Sequence, residues 1–162
     1  MLRRAVVLAV IVAGLGGCGG GSVTPQATPA MGAMSPEEAV QIFLAAAQEA
    51  QAAKQAGDFT EAGRAYERMA AVFGTKDGSI RNAYSSQEVR DRMVVLAACL
   101  RPVEFRIVTQ SDPAARSGGE TLVTAEIKRD EDMLTLPFRC VFGRGDQWFI
   151  EQIHLSLSSF SC

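Results

Sequence analysis

The spacing of apolar residues along the chain changes at Pro102. Before that residue, apolar positions recur every three or four residues, which is typical of amphipathic helices. After it, apolar and polar residues alternate, which indicates β-strands. Helices followed by a run of strands, with no helix between the strands, predict an α+β domain in which helices pack on an antiparallel sheet.

Three helices are predicted before Pro102. Residues 35–38, Ser-Pro-Glu-Glu, form a capping box with proline at the first helical position. Asp58 can cap the second helix and Ser85 the third, while Gly57 and Gly74 are helix-ending residues. The apolar stripes of the three helices are Val40, Phe43, Leu44 and Ala47; Phe59, Ala62, Tyr66, Met69 and Phe73; and Val89, Met93, Leu96 and Leu100.

Four strands are predicted between residues 103 and 157. The turn sequences SDPAARSGG, RDED and GRGD separate them, and the last strand lies in QWFIEQIHLSL. Pro137 falls inside the third strand, where it has no N–H to donate. We therefore expect a bulge at Pro137, or an edge position for that strand.

The first 18 residues combine a basic start, a short apolar run and small residues. The run from Ala5 to Leu15 is shorter than the roughly 20 residues that a membrane-spanning helix needs, so it indicates an export signal. The sequence Leu15-Gly16-Gly17-Cys18 resembles the lipobox of bacterial lipoproteins, in which the cysteine is lipidated and becomes the first residue. The resemblance implies a signal peptide at 1–17 and a membrane anchor of acyl chains such as palmitate on Cys18.

The segment that follows the lipobox is uncharged and rich in Gly, Ser, Thr, Pro and Ala. This composition predicts that 18–35 comprises the lipidated cysteine and a flexible tether, and that 36–162 forms one domain. In Gram-negative lipoproteins, an aspartate after the cysteine often signals retention in the inner membrane. Gly19 stands there instead, so we expect a lipid-anchored protein of the outer membrane that faces the periplasm.

Charge and motif content limit the partners. The net charge is −2, or −4 once the two arginines of the signal peptide are removed, and no basic cluster is present, which argues against a nucleic-acid partner. One histidine cannot build a zinc site, and the sequence has no P-loop or calcium-loop spacing. We therefore expect neither a metal nor a cofactor.

The last predicted strand, WFIEQIHLS, resembles the W-x-I-x-H-x-H-x-S strand of SnoaL-type members of the NTF2-like, or cystatin-like, family. Trp148, Ile150, His154 and Ser156 match that pattern, and Gln152 departs from it. The resemblance implies a cone, in which the helices and the concave face of a curved four-stranded sheet enclose a pocket. It also implies that the outer sheet face can meet a partner, including a second copy of the chain.

Strict alternation places Trp148, Ile150, Gln152 and His154 on one face, where we expect them to line the pocket together with Tyr66. His154 is the only histidine and the natural general base, but no carboxylate is obviously placed to orient it. We therefore assign no catalytic residue. The expected function is binding of a small apolar ligand or a protein partner.

Two alternatives remain open. The first is a pocket enzyme that uses His154 in proton transfer or dehydration. The second is an adaptor of the tetratricopeptide-repeat type, because GDFTEAGRAYERMA resembles half of one such repeat.

Export also favours disulfides. Cys99, Cys140 and Cys162 permit one bridge with three possible pairings, among which the sequence does not decide.

Overall fold

The computed structural model of the chain describes residues 31–108 and 119–155. The described residues form an α+β domain, which confirms the predicted class. Its helices are α1 (Pro36–Gln55), α2 (Phe59–Ala71) and α3 (Ser86–Leu100). A hairpin of β1 (Gly74–Thr75) and β2 (Gly78–Ser79) and a 3-10 turn (Ile80–Asn82) lie between α2 and α3. The antiparallel sheet has the order β3 (Glu104–Ile107), β4 (Glu120–Arg129), β5 (Asp132–Gly143) and β6 (Gln147–Ile153).

The three predicted helix caps are confirmed. The side chain of Ser35 accepts a hydrogen bond from the Glu38 amide, and that of Asp58 accepts one from the Glu61 amide. At α3 the capping box is reciprocal, because Ser85 and Glu88 each accept from the other's backbone amide. Such caps satisfy amides that have no partner within the helix.

Two details of α2 differ from the prediction. The helix ends at Ala71 rather than near Gly74, because the chain leaves it to pair with β6, where the Ile150 amide donates to the Val72 carbonyl at 2.8 Å. Phe59, predicted as a core residue, is 74% exposed. It is the first residue of α2, directly after the cap, and the buried part of the helix begins at Ala62.

Helix α1 lies at the centre of the domain. It contacts α2, α3 and all four strands of the sheet. Phe43 on α1 packs edge-on against Phe138 of β5 and lies against Phe73 beyond α2, with ring centroids 6.4 and 5.9 Å apart. The strand residues that are buried with α1 in the core are Val123, Ala125, Ile127, Leu136, Phe138, Cys140, Trp148 and Ile150.

Pro137 lies on β5, which is an interior strand, so the expected edge position is wrong. The His154 amide donates to the Pro137 carbonyl at 3.0 Å, and the reciprocal bond would need the N–H that proline lacks. Pairing between β5 and β6 ends at this point.

The expected bulge is present nearby, between β5 and β6. Arg139 is opposite Gln152 and Cys140 is opposite Ile150, which leaves Glu151 as the extra residue.

Residues 32–34, which the composition assigned to the tether, are part of the domain. The Gly32 amide donates to the Ala71 carbonyl at 2.8 Å, and Ala33 exchanges two backbone hydrogen bonds with Trp148. Ala33 is buried. This segment covers part of the outer edge of β6.

The lipobox, including Cys18, lies outside the described residues. None of the described helices is both long enough and apolar enough to cross a membrane.

Replacement of Gly32 by alanine tests this attachment to β6. Gly32 has φ +80°, and an added Cβ would lie 2.5 Å from the Gln147 Cβ, whereas Gly57 has φ +76° with nothing within 4 Å. Gly57→Ala therefore serves as the control for backbone strain alone, which costs about 1–2 kcal/mol. We expect Gly32→Ala to lower the free energy of unfolding by a further 1–3 kcal/mol or so, measured by chemical denaturation. Equal losses in the two variants would contradict the attachment.

Candidate functional site

The bulge at Glu151 changes which side chains of β6 share a face. Trp148 and Ile150 are opposite Phe142 and Cys140 of β5 and face the helices, where both are buried. One residue is then inserted, so that Gln152 and His154 turn to the outer face of the sheet and are exposed. The prediction that all four line one face is wrong, because alternation does not hold across a bulge.

Trp148 and Ile150 are placed to hold the fold together. The Trp148 ring packs on Phe142 with centroids 5.3 Å apart, and its backbone pairs with Ala33. Ile150 is fully buried and is bridged to Phe73 beyond α2. Both residues therefore join the sheet to the segments that cover its edge.

His154 lies beside a shallow groove of about 510 Å³ at the end of β6. The described residues that line this groove are Thr135, Leu136, Pro137, Gln152, Ile153, His154 and Leu155, and they include no carboxylate or tyrosine. Glu151, the nearest acid along the chain, lies 3.4 Å from the guanidinium of Arg139. The imidazole is thus on the outer face and lacks an orienting acid among these residues.

Tyr66 lies in a different part of the domain. It lines a cleft of about 210 Å³ between α2 and α3, together with Lys54, Phe59, Arg90 and Val94, and no residue of β6 takes part. Burial raises the pKa of the Tyr66 hydroxyl above its usual value. The structure therefore does not bring Tyr66 and His154 into one pocket.

The outer face of the sheet carries ion pairs across neighbouring strands. Arg106 lies 2.6 Å from Glu126, and Lys128 lies 3.7 Å from Glu104. Arg139 reaches Glu120 at 2.7 Å, and the guanidinium lowers the pKa of the Glu120 carboxyl. Exposed pairs of this kind contribute little stability. They give the part of this face where they lie a hydrated, charge-balanced surface.

An apolar groove of about 450 Å³ lies on the other side of the domain, between α3 and the segment before it. Phe73 and Ile80 form one wall, and α3 forms the other. Val95 of α3 is 59% exposed at the opening. The groove is lined by Phe73, Ile80, Asp91, Arg92, Met93, Val95 and Leu96.

The rim of this groove is partly ordered by a cation–π contact. The Arg92 guanidinium lies 4.0 Å from the centroid of the Tyr84 ring. Sequence analysis missed the groove, although residues 93–96, Met-Val-Val-Leu, carried a signal for it. Four consecutive apolar residues on a helix span more than one face, so at least one of them points away from the core.

Cys140 is the buried free thiol of the described residues, whereas Cys99 is disulfide-bonded. Burial, with a smaller effect of the Glu37 charge, raises the pKa of the Cys140 thiol to about 12. Within residues 31–108 and 119–155, no three His, Cys, Asp or Glu side chains are grouped so that they could hold a metal ion.

No family model, no curated protein and no solved structure matches this chain.

The raised pKa predicts that Cys140 is unreactive in the folded protein. At pH 8 the thiol stays protonated, and the thiolate is the nucleophile, so we expect N-ethylmaleimide to label it roughly 1,000-fold more slowly than in denaturant. Trypsin isolates this cysteine in the peptide Cys140–Arg144, whose labelling can be followed by mass spectrometry. Rapid labelling of the folded protein would contradict the burial.

The same pKa shift predicts a pH dependence of stability. The unfolded thiol ionises near pH 8.5, well below the folded one, so the unfolded state loses its proton first as pH rises. The contribution of Cys140 is therefore complete below about pH 8.5 and falls as pH rises toward 12. Cys140→Ala should lack this slope, measured by denaturation between pH 7 and 10. An unchanged slope in Cys140→Ala would assign the effect to other groups.

Proposed function

We propose that this chain is a lipid-anchored protein of the bacterial cell envelope that binds an apolar segment of a protein partner in the groove beside α3. The observation that carries the binding proposal is the groove itself. It is lined by five apolar side chains, and Val95 stands exposed at its opening. Apolar surface that is open to water and bounded by polar residues is a common feature of interaction sites.

The open shape of the groove favours a protein segment over a small ligand. Its volume, about 450 Å³, falls within the usual range for ligand pockets, but such pockets enclose most of their ligand. Because one wall ends at exposed Val95, a small molecule would keep much of its surface in water. A side chain carried by a partner needs to bury only its tip. Asp91 and Arg92 at the rim offer polar contacts that can orient it.

The groove is also a better docking surface than the outer face of the sheet, which the family resemblance pointed to. The outer face carries charges that are already paired with each other, such as Arg106 with Glu126. A partner would have to desolvate those pairs, and desolvation offsets much of what new contacts provide. The five apolar side chains that line the groove carry no charge to desolvate.

The lipid anchor rests on the Leu15-Gly16-Gly17-Cys18 motif and on the basic and apolar residues before it. With residues 32–34 bound to β6, the tether is 19–31, for which a flexible chain has an end-to-end distance of about 20 Å. That distance leaves the groove accessible in the periplasm when Cys18 is held in the outer membrane.

As a finer description of the fold, we infer an NTF2-like cone. The order of three helices before an antiparallel meander supports it, as does the bulge at Glu151 of β6.

The anchor is tested by Cys18→Ser. Wild-type protein should incorporate an alkyne-labelled palmitate analogue in cells and partition with membranes, whereas Cys18→Ser should take up no label, because the substituted side chain lacks the sulfur. Cys140→Ser is the matched control and should be labelled like wild type. Equal labelling of wild type and Cys18→Ser would refute the anchor.

The docking site is tested by photo-crosslinking in living cells. A benzophenone amino acid replaces Val95 in one strain and Leu122 of the outer sheet face in another; the two positions are 59% and 53% exposed, so both variants should fold. We expect a discrete adduct of higher mass from position 95 and none from position 122. If the groove instead binds a small ligand, that ligand should displace an apolar dye bound there, and no protein adduct should form. The absence of an adduct at position 95 contradicts the protein-partner proposal.

A further inference from the structure

The cleft between α2 and α3 combines two positive charges with an apolar wall. It has a volume of about 210 Å³, and its lining includes Lys54 from the last turn of α1, Arg90 of α3, the Tyr66 side chain and the ring of Phe59. We propose that this cleft binds a small carboxylic acid with a compact apolar body, whose carboxylate is held by Lys54, Arg90 and the hydroxyl of Tyr66.

This cleft is a different site from the groove beside α3. Arg90 and Val94, which line the cleft, are four residues apart and share one face of the helix. The groove is formed by another part of the helix surface, which includes Val95 and Leu96, and no described residue lines both sites. A ligand in the cleft therefore leaves the groove open, and the two proposals can be tested separately.

The two cations carry charges that no acid in the described part of the chain neutralises. Lys54 and Arg90 are exposed, and neither forms an ion pair within residues 31–108 and 119–155. The acids at the start of α2 are engaged elsewhere, because Glu61 is paired with Arg68 and the side chain of Asp58 caps the helix. Two unpaired positive charges beside one cleft favour an anionic ligand.

Tyr66 adds a third hydrogen-bond donor. It is only 7% exposed and lines the cleft, yet its hydroxyl has no hydrogen-bond partner among the described residues. A hydroxyl in such a place is satisfied by water or by an acceptor on a ligand. A carboxylate has acceptors only, and its two oxygens can take hydrogen bonds from an ammonium, a guanidinium and a hydroxyl together.

Arg90 extends from α3 toward the surface of α2. A Cβ added at Gly63 of α2 would lie 3.5 Å from an Nη atom of Arg90. Tyr66 follows Gly63 by three residues and so lies on the same face of α2. The guanidinium of Arg90 and the side chain of Tyr66 are therefore neighbours on one wall of the cleft.

The size of the cleft limits the apolar part of the ligand. Phe59, Ala62 and Val94 supply apolar lining, and Phe59 is 74% exposed, so a ligand can cover its ring. A cavity of about 150 Å³ accommodates benzene, so the volume of about 210 Å³ suits one ring or a short chain beside the carboxylate. Larger ligands occupy pockets of roughly 300–1,000 Å³.

Binding of 3-phenylpropanoate tests the site, with its neutral amide as the matched control compound. The full-length chain in phosphatidylcholine nanodiscs is titrated at pH 7 with ring-fluorinated forms of both compounds and followed by fluorine NMR, with empty nanodiscs as the reference. We expect a dissociation constant on the order of 0.1–1 mM for the acid. The amide should bind at least roughly 10-fold more weakly, because it lacks the charge. Equal affinity for acid and amide, or no binding of the acid in the millimolar range, overturns the proposal.

Substitutions in the cleft locate the bound acid. Lys54→Gln and Arg90→Gln should each weaken binding roughly 5- to 10-fold, and both positions are exposed, so the variants should fold. Tyr66→Phe, which removes only the hydroxyl, should weaken binding about threefold. Arg144→Gln removes the same charge from a side chain that is 82% exposed in the turn between β5 and β6, and it should bind like wild type. Equal affinity of wild type and all four variants overturns the site.

Two competitors define the class of ligand. Acetate carries the charge without the apolar body, so it should displace the fluorinated acid only at concentrations at least roughly 10-fold higher. A tripeptide with a free C-terminal phenylalanine carries the same carboxylate and ring on a longer chain, and it should compete no better than 3-phenylpropanoate, because the cleft is too small for its backbone. Displacement by acetate as effective as by 3-phenylpropanoate, or tighter binding of the tripeptide, overturns the assignment to a small apolar acid.

Discussion

The domain depends on the burial of α1 between the sheet and the other two helices. Alanines occupy five of its buried positions, Ala39, Ala46, Ala47, Ala50 and Ala53, and small side chains let neighbouring backbones approach closely. Phe43 and Leu44 supply the larger apolar surface. Because one helix contacts all four strands, loss of its packing would remove support from the sheet and from α2 together. Helix α3 is joined at the side of this arrangement, which leaves part of its surface for the groove.

The predictable parts of the structure are those that short segments determine. Ser35, Asp58 and Ser85 cap their helices as expected, because a cap needs only a side chain and an amide three residues away. The α+β class follows from a change of period that is visible in single segments. Phe59 was misplaced because its burial depends on where α1 ends relative to α2, which the pattern of α2 alone does not contain.

The candidate site shows the limit of such reasoning more clearly. A single inserted residue, Glu151, separates Gln152 and His154 from Trp148 and Ile150. The strand's own pattern marks the insertion only by two adjacent polar residues, Glu151 and Gln152, which interrupt the alternation. The bulge arises between two strands, beside the point where Pro137 ends their pairing. The groove depends on Phe73 and Ile80 meeting α3 across a hairpin, which is likewise a contact between distant segments. Residues that touch through tertiary structure were therefore the ones that sequence analysis missed.

The pairing of Ala33 with Trp148 also determines how mechanical load enters the domain. A pull on the chain before Met31 reaches the two hydrogen bonds between Ala33 and Trp148 and the bond from Gly32 to Ala71 before it reaches the first turn of α1. The buried Ala33 side chain adds resistance at the same point. Such a pull would thus be borne first by the edge of β6, and α1 would be shielded from it for as long as those bonds hold.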